Sequence, residues 1–155
     1  MIGLIGEYDC KVDAKGRFLF PTELKKFMGR EFEDGFVVCR NLHQPCLVLY
    51  PMSEWTKLNK KLSKLNRLIK ANDIFVRKVT GGATPVSPDS AGRILIPRSL
   101  ADHAEIHQDI KVLGSNNLVE LWDKNKYLEF MNTEIDIEKL AGEVMGNIDF
   151  SDDEA

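Results

Sequence analysis

Two short stretches of this chain carry residue types that could do chemistry, and they are nearly the same stretch. Asp13-Ala14-Lys15-Gly16-Arg17-Phe18-Leu19-Phe20-Pro21 returns 76 residues later as Asp89-Ser90-Ala91-Gly92-Arg93-Ile94-Leu95-Ile96-Pro97, identical at five of nine positions. Aspartate at the head of a turn can accept hydrogen bonds from backbone amides two or three residues on, which pins the loop. Glycine at the fourth position permits a positive φ that a bulky residue resists. Asp13, Gly16, Asp89 and Gly92 are thus the expected loop-shaping residues. Arg17 and Arg93 then stand at the rim of a fixed turn. Each offers a planar, always-charged fork of donors suited to phosphate oxygens or to the O6 and N7 of guanine. Lys15 and Lys11 add positive charge beside the first loop. A purely structural use is open as well, in which each aspartate pairs with its arginine to stiffen a hairpin. The two uses are compatible, because a carboxylate can orient one edge of a guanidinium and leave the other free.

Other reactive groups offer less. Three cysteines, an odd number, do not make a disulfide framework. Cys39-x3-His43-x2-Cys46, with Cys10 in reserve, has thiolate and imidazole chemistry suited to zinc. However, Cys39 follows Phe36-Val37-Val38 and Cys46 precedes Leu47-Val48-Leu49, apolar runs in which a free cysteine acts as a small hydrophobe. The second copy has no counterpart ligands, so no metal and no other cofactor is expected. His43, His103 and His107 lack a visible paired nucleophile. Gly81-Gly82-Ala83-Thr84 lacks both the Gly-Lys-Ser/Thr ending of a phosphate loop and the glycine spacing of a dinucleotide site. No catalytic residue is expected.

The elements that must position the two loops follow from the repeat. The match continues in order: Leu24 answers Leu100, Tyr50 answers Trp122, and Trp55 answers Tyr127. An internal repeat fixes architecture before any single element does. The expected plan is a strand over 6–12, a turn over 13–16, a strand over 17–20 and a short helix over 22–28. Strands over 35–40 and 46–50 follow, then a long helix over 54–71 with Trp55, Leu58, Leu62, Leu65 and Ile69 on one stripe. Asp73 to Val79 reads as a strand and Thr80 to Pro85 as a loop. The second copy replays the plan with a strand over 93–96, a short helix after Pro97 and strands over 110–113 and 118–122. Gly114 to Asn117 has hairpin-turn composition, and a last helix is expected over 124–140. This is a mixed α+β pattern with many short strands. Residues 1–80 form the first repeat, 81–142 the second, and 143–155 an acidic segment expected to be disordered.

Composition sets the remaining bounds. At 155 residues and 43% hydrophobic, the chain can bury a real core. Its net charge of −3 hides a polarity: 15 Lys and Arg against 9 Asp and Glu in residues 1–80, but 6 against 15 in 81–155. Such a split suggests one end facing a polyanion and one acidic end. Met1 to Ile5 is too short for a signal peptide, and no apolar run approaches the roughly 20 residues of a membrane helix. A soluble, cytoplasmic protein without membrane association is expected.

Taken together these residues resemble the MraZ family, bacterial proteins of two tandem AbrB/SpoVT-like β-rich units. The resemblance rests on Gly6-Glu7-Tyr8, Asp13 to Arg17, Leu49-Tyr50-Pro51 with Trp55, Asp89 to Pro97, and Glu120-Leu121-Trp122-Asp123, in family order over residues 6–127. It implies a pseudo-symmetric, β-barrel-like core with a helix after each repeat. It also implies a nucleoid-associated transcriptional regulator whose Arg-bearing loops touch double-stranded DNA. The DNA would be direct repeats upstream of division and cell-wall genes, bound by a ring-shaped homo-oligomer. By position, Arg17 and Arg93 are the implied DNA contacts, oriented by Asp13 and Asp89. Departures are Lys25 and Ala101, where the family often has Arg after each short helix, and Ala91 in place of a second Lys15. A protein-binding scaffold or antitoxin-like module of the same fold is the alternative.

Overall fold

The repeat becomes visible as geometry in the computed structural model, which describes residues 3–146. The first copy contributes β1 (Leu4–Lys11), β2 (Arg17–Leu19), α1 (Thr22–Met28), α2 (Glu31–Asp34), β3 (Phe36–Arg40), β4 (Leu47–Pro51), α3 (Met52–Leu62) and α4 (Lys70–Thr80). The second contributes β5 (Thr84–Val86), β6 (Arg93–Leu95), α5 (Arg98–His103), β7 (Asp109–Asn116), β8 (Leu118–Asp123), α6 (Lys124–Met131) and α7 (Ile137–Met145). Only α2 lacks a counterpart, and it lies in the stretch where the first copy is longer.

A six-stranded antiparallel sheet runs in the order β1-β7-β8-β4-β3-β5. That order reads the same when the two copies are exchanged, so each copy lends its first strand to the other. β1 pairs with β7 from Leu4↔Asn116 to Lys11↔Asp109, while β5 pairs with β3 through Thr84, Pro85 and Val86. The centre is the β4–β8 pair. β2 and β6 form a separate two-stranded ribbon with Phe18 opposite Ile94. Both of those side chains are fully buried, and they meet Phe20, Leu24, Phe36, Leu49, Leu100, Val112 and Leu121 in one core. The sheet does not close into a barrel among the described residues. β1 and β5 remain its edges, and a single bridge, Val12↔Phe18, ties the ribbon to the continuation of β1.

The aromatic pairs of the repeat also recur as contacts. Tyr50 packs at a tilt against Trp55 with centroids 5.8 Å apart, and Trp122 meets Tyr127 edge to face at 5.6 Å. In each copy they fasten the start of a helix to the end of the preceding strand.

Several expectations need correction. Asp73 to Val79 is helix, not strand: it lies within α4, and Val76 and Val79, three residues apart, bury against Leu62. Helical spacing of the buried valines outweighs the strand preference of Ile74-Phe75-Val76. The long helix ends at Leu62 because Asn66 draws its own hydrogen bonds, accepting from the Leu68 N–H at 3.0 Å and the Asn72 side chain at 3.1 Å. Arg67 and Arg77 then pin the first turn of α4 by pairing with Asp73. The final helix likewise divides into α6 and α7, the second capped by Asp136, whose side chain accepts from the Lys139 N–H. Finally, β7 runs through Gly114 to Asn116, leaving Asn117 alone between the strands. Within the segment expected to be disordered, α7 continues to Met145; residues 147–155 lie outside the described residues.

Candidate nucleic-acid interface

The two repeated loops fold to the same hydrogen-bond pattern. In the first, the Asp13 carboxylate accepts from the Lys15 N–H at 3.0 Å and the Arg17 N–H at 2.9 Å through Oδ1. Its Oδ2 accepts from Arg17 Nε at 2.9 Å. In the second, Asp89 Oδ1 accepts from the N–H groups of Ala91 at 3.0 Å and Arg93 at 2.8 Å, and Oδ2 from Arg93 Nε at 2.8 Å. Gly16 and Gly92 take φ of 89° and 83°, the left-handed region in which a side chain is strained. The loops are also cross-braced: the Gly92 carbonyl accepts from the Phe20 N–H, and the Gly16 carbonyl from the Ile96 N–H.

Those bonds fix where the guanidinium points. Each arginine spends Nε on its own loop, and among the described residues no hydrogen bond engages the Nη groups of Arg17 or Arg93. Their side chains are 27% and 37% exposed. The charge-pairing and presenting roles read from sequence therefore coexist. Donation by the Arg17 backbone N–H, and then by its side chain, holds the Asp13 carboxyl below the usual aspartate range; Arg93 does the same for Asp89. Both loops are anionic braces under cationic forks at neutral pH.

The ribbon sets the spacing. Arg17 lies opposite Leu95 and Leu19 opposite Arg93, so all four side chains share the face that Phe18 and Ile94 do not use. The two arginines are diagonal neighbours, which places their Cα atoms roughly 7–8 Å apart. Leu19 and Leu95 between them are 60% and 50% exposed. Sequence reasoning missed these leucines by treating Arg17 to Phe20 as a continuous apolar strand. Strict alternation would have turned Leu19 outward with Arg17.

The predicted lysines divide. Lys15 is exposed at the tip of the first loop and lines a groove with Arg98, Gln108 and His107. Lys11 is exposed at the end of β1 but pairs with Asp109 at 3.5 Å, so part of its charge is compensated. Arg98, exposed at the start of α5, was not anticipated, because the repeat puts Thr22 at its counterpart position.

The cysteines do not converge on a site. Cys39 and Cys46 are buried, Cys46 against Trp122 and Tyr127, while Cys39 lies beside Val48, Tyr50 and Val79. Burial pushes the thiols of Cys10 and Cys39 up to about 11, and that of Cys46 higher still, away from the thiolate that binds metal. Among the described residues no group of three His, Cys, Asp or Glu side chains is arranged to hold a metal ion. No helix there is long and apolar enough to cross a membrane.

Comparison with known proteins follows the same division of the chain. The model of the MraZ protein family, described as antitoxin-like, matches twice, over residues 4–78 and 79–144. A protein of Christiangramia forsetii named transcriptional regulator MraZ is 48% identical over 151 residues, 97% of both chains. Its namesake in Flavobacterium psychrophilum is 43% identical over 152 residues, 97% of this chain and 96% of its own. A third, from Clostridium tetani, is 37% identical over 88% of this chain and 93% of its own. With both repeats matched and near relatives aligned almost end to end, the chain belongs to the MraZ family.

Proposed function

We propose that this chain is a transcriptional regulator that binds double-stranded DNA through its two Asp-x-x-Gly-Arg loops and catalyses no reaction. It acts in the cytoplasm, at the nucleoid, as a ring-shaped homo-oligomer. Its targets are short direct repeats upstream of the division and cell-wall genes. The observation that carries the reading is the ribbon face. Two arginine forks, each held by Nε and open at Nη, stand on one side of two rigid strands. An open fork suits either a phosphate or the major-groove edge of guanine, and the exposed Leu19 and Leu95 suit a thymine methyl. Lys15 and Arg98 extend positive charge beside the first loop, while Lys11 adds less. The printed names of the relatives support the same reading.

One loop supplies at most about 1–3 kcal/mol of base discrimination. Several loops on one assembly raise avidity by roughly 10²–10⁴ without any new kind of contact. Acidic groups more than a Debye length, about 8–10 Å, from the loops are largely screened from them.

The test is a titration of the DNA upstream of this protein's own gene. Arg17→Ala should weaken binding about 10- to 100-fold with the oligomer intact, and Arg93→Ala should weaken it less. The wild-type log–log salt slope should be near −0.9 for each phosphate contacted. Unchanged binding by Arg17→Ala, or a flat salt response, overturns the reading. Co-purification with a protein partner and no preference over random DNA favours the protein-binding module instead.

A further inference from the structure

Two arginine loops related by the repeat would, by themselves, make a face that looks the same from either end. The ribbon is antiparallel, and its central pair is Phe18 opposite Ile94. Exchanging the copies carries Arg17 onto Arg93 and Leu19 onto Leu95, as a twofold axis through that pair would. A face of that symmetry grips DNA equally well in both directions, which is why twofold proteins suit palindromes. The direct repeats of the proposed function have a direction. A protein that reads them needs groups that break the twofold.

The first loop has such groups beside it. Lys15 and Arg98 are exposed, and among the described residues neither side chain forms an ion pair. Both line a groove of about 720 Å³ between the loop and α5. The carboxylate in its lining, Asp13, is already engaged by Arg17. The frame is fixed: the Gln108 carbonyl accepts from the Val12 N–H at 2.8 Å, which ties the loop to the start of β7. His107, also in the lining, has its Nδ1 3.2 Å from the buried Asp123 carboxylate. Two uncompensated cations thus stand on a rigid wall beside the Arg17 fork. At the exchanged positions stand Ala91 for Lys15 and Thr22 for Arg98. The cations of α1 are spent elsewhere, since Lys25 Nζ lies 5.1 Å over the Phe32 ring and Lys26 pairs with Glu23 at 3.6 Å. Ser90, in the place of Ala14, adds a hydroxyl but no charge.

We infer that the groove between the first loop and α5 takes a backbone phosphate of DNA through Lys15 and Arg98, and that this one-sided grip fixes which way the duplex lies across the two loops. The inference rests on the DNA reading of the loops and deepens it. The arginine forks present the same chemistry at both ends of the face, while the phosphate cleft exists at one end. Arg98 reads no base; it positions the duplex, as backbone contacts do. A flexible lysine and a planar guanidinium on one wall suit a phosphate from two sides.

Duplexes carrying a single upstream repeat test it with the full-length protein. A benzophenone photo-crosslinker placed at Ser90, exposed on the second loop, should mark one end of the repeat in the otherwise native chain. Lys15→Ala with Arg98→Thr levels the first side to the second. In that variant the crosslinker should mark both ends, and the log–log salt slope should become shallower by about 0.9 for each cation removed. The converse pair, Ala91→Lys with Thr22→Arg, makes the sides alike without removing a cation. It should bind at least as tightly as the native protein and again mark both ends. All four positions are exposed, so the melting temperature should hold in both variants. A native protein that marks both ends, a levelled variant that still marks one, or a salt slope unchanged by Arg98→Thr overturns the inference. Failure of the DNA reading shows separately, as upstream binding that Arg17→Ala leaves unchanged.

Discussion

Each aspartate of the repeated loop serves three donors, and that makes the loop sensitive to acid in a defined window. The folded carboxyls of Asp13 and Asp89 lie below the ordinary value of about 4, chiefly because the backbone N–H groups of Arg17 and Arg93 point at them. A depressed folded pKa means the ionised loop stabilises the protein fully above the unfolded value. That contribution is lost as pH falls through the folded one. The amide resonances of Lys15, Arg17, Ala91 and Arg93 should therefore hold steady above pH 5 and shift together below about pH 4. Asp13→Asn should remove the transition from Lys15 and Arg17 only. An asparagine still accepts the two amides through its oxygen but cannot brace Nε, so upstream DNA binding should weaken several-fold with the fold intact. Resonances that titrate near pH 6 instead would mean that some other group controls the loop.

Among the elements, the exchanged edge strand has little tolerance. A Cβ on Gly114 would lie 2.6 Å from the Ile5 nitrogen and 2.7 Å from the Leu4 carbonyl carbon, both backbone atoms of β1. Gly114→Ala should therefore force β1 away from β7 and cost about 1–3 kcal/mol. The loss should be read as faster amide exchange in β1, while the β2–β6 ribbon stays protected. Equal protection in the mutant would show that the strands have room. Element by element, legibility in the sequence tracked how local the cause was. The Asp-x-x-Gly-Arg turns, the ribbon strands and the short helices after Pro21 and Pro97 were readable because turn chemistry and proline act within a few residues. Asp73 to Val79 was misread because Leu62, the residue that makes Val76 and Val79 a helical face, comes from the preceding helix. The face shared by Arg17, Leu19, Arg93 and Leu95 needed the cross-copy register, which neither copy states alone.

For the molecule as a whole, exchange of strands between copies has a thermodynamic consequence. β1 belongs to the first copy by sequence but pairs as a strand with β7 of the second, and β5 of the second copy pairs with β3 of the first. The ribbon that completes the core takes one strand from each, with Phe18 facing Ile94. Neither copy can bury its own apolar residues without the other, so the two should unfold together as one cooperative unit. The chain supplies its own reporters, since Trp55 lies in the first copy and Trp122 in the second, each against its aromatic partner. Trp122→Phe leaves fluorescence from the first copy alone, and Trp55→Phe leaves it from the second. Leu24→Ala and Leu100→Ala remove equivalent, fully buried side chains, one per copy, and each should cost about 2–5 kcal/mol. In a cooperative molecule either truncation lowers the denaturation midpoint seen by both tryptophans equally. If Leu24→Ala moved only the Trp55 signal and Leu100→Ala only the Trp122 signal, the copies would be independent units merely tethered in one chain, and the shared sheet would not be what holds them.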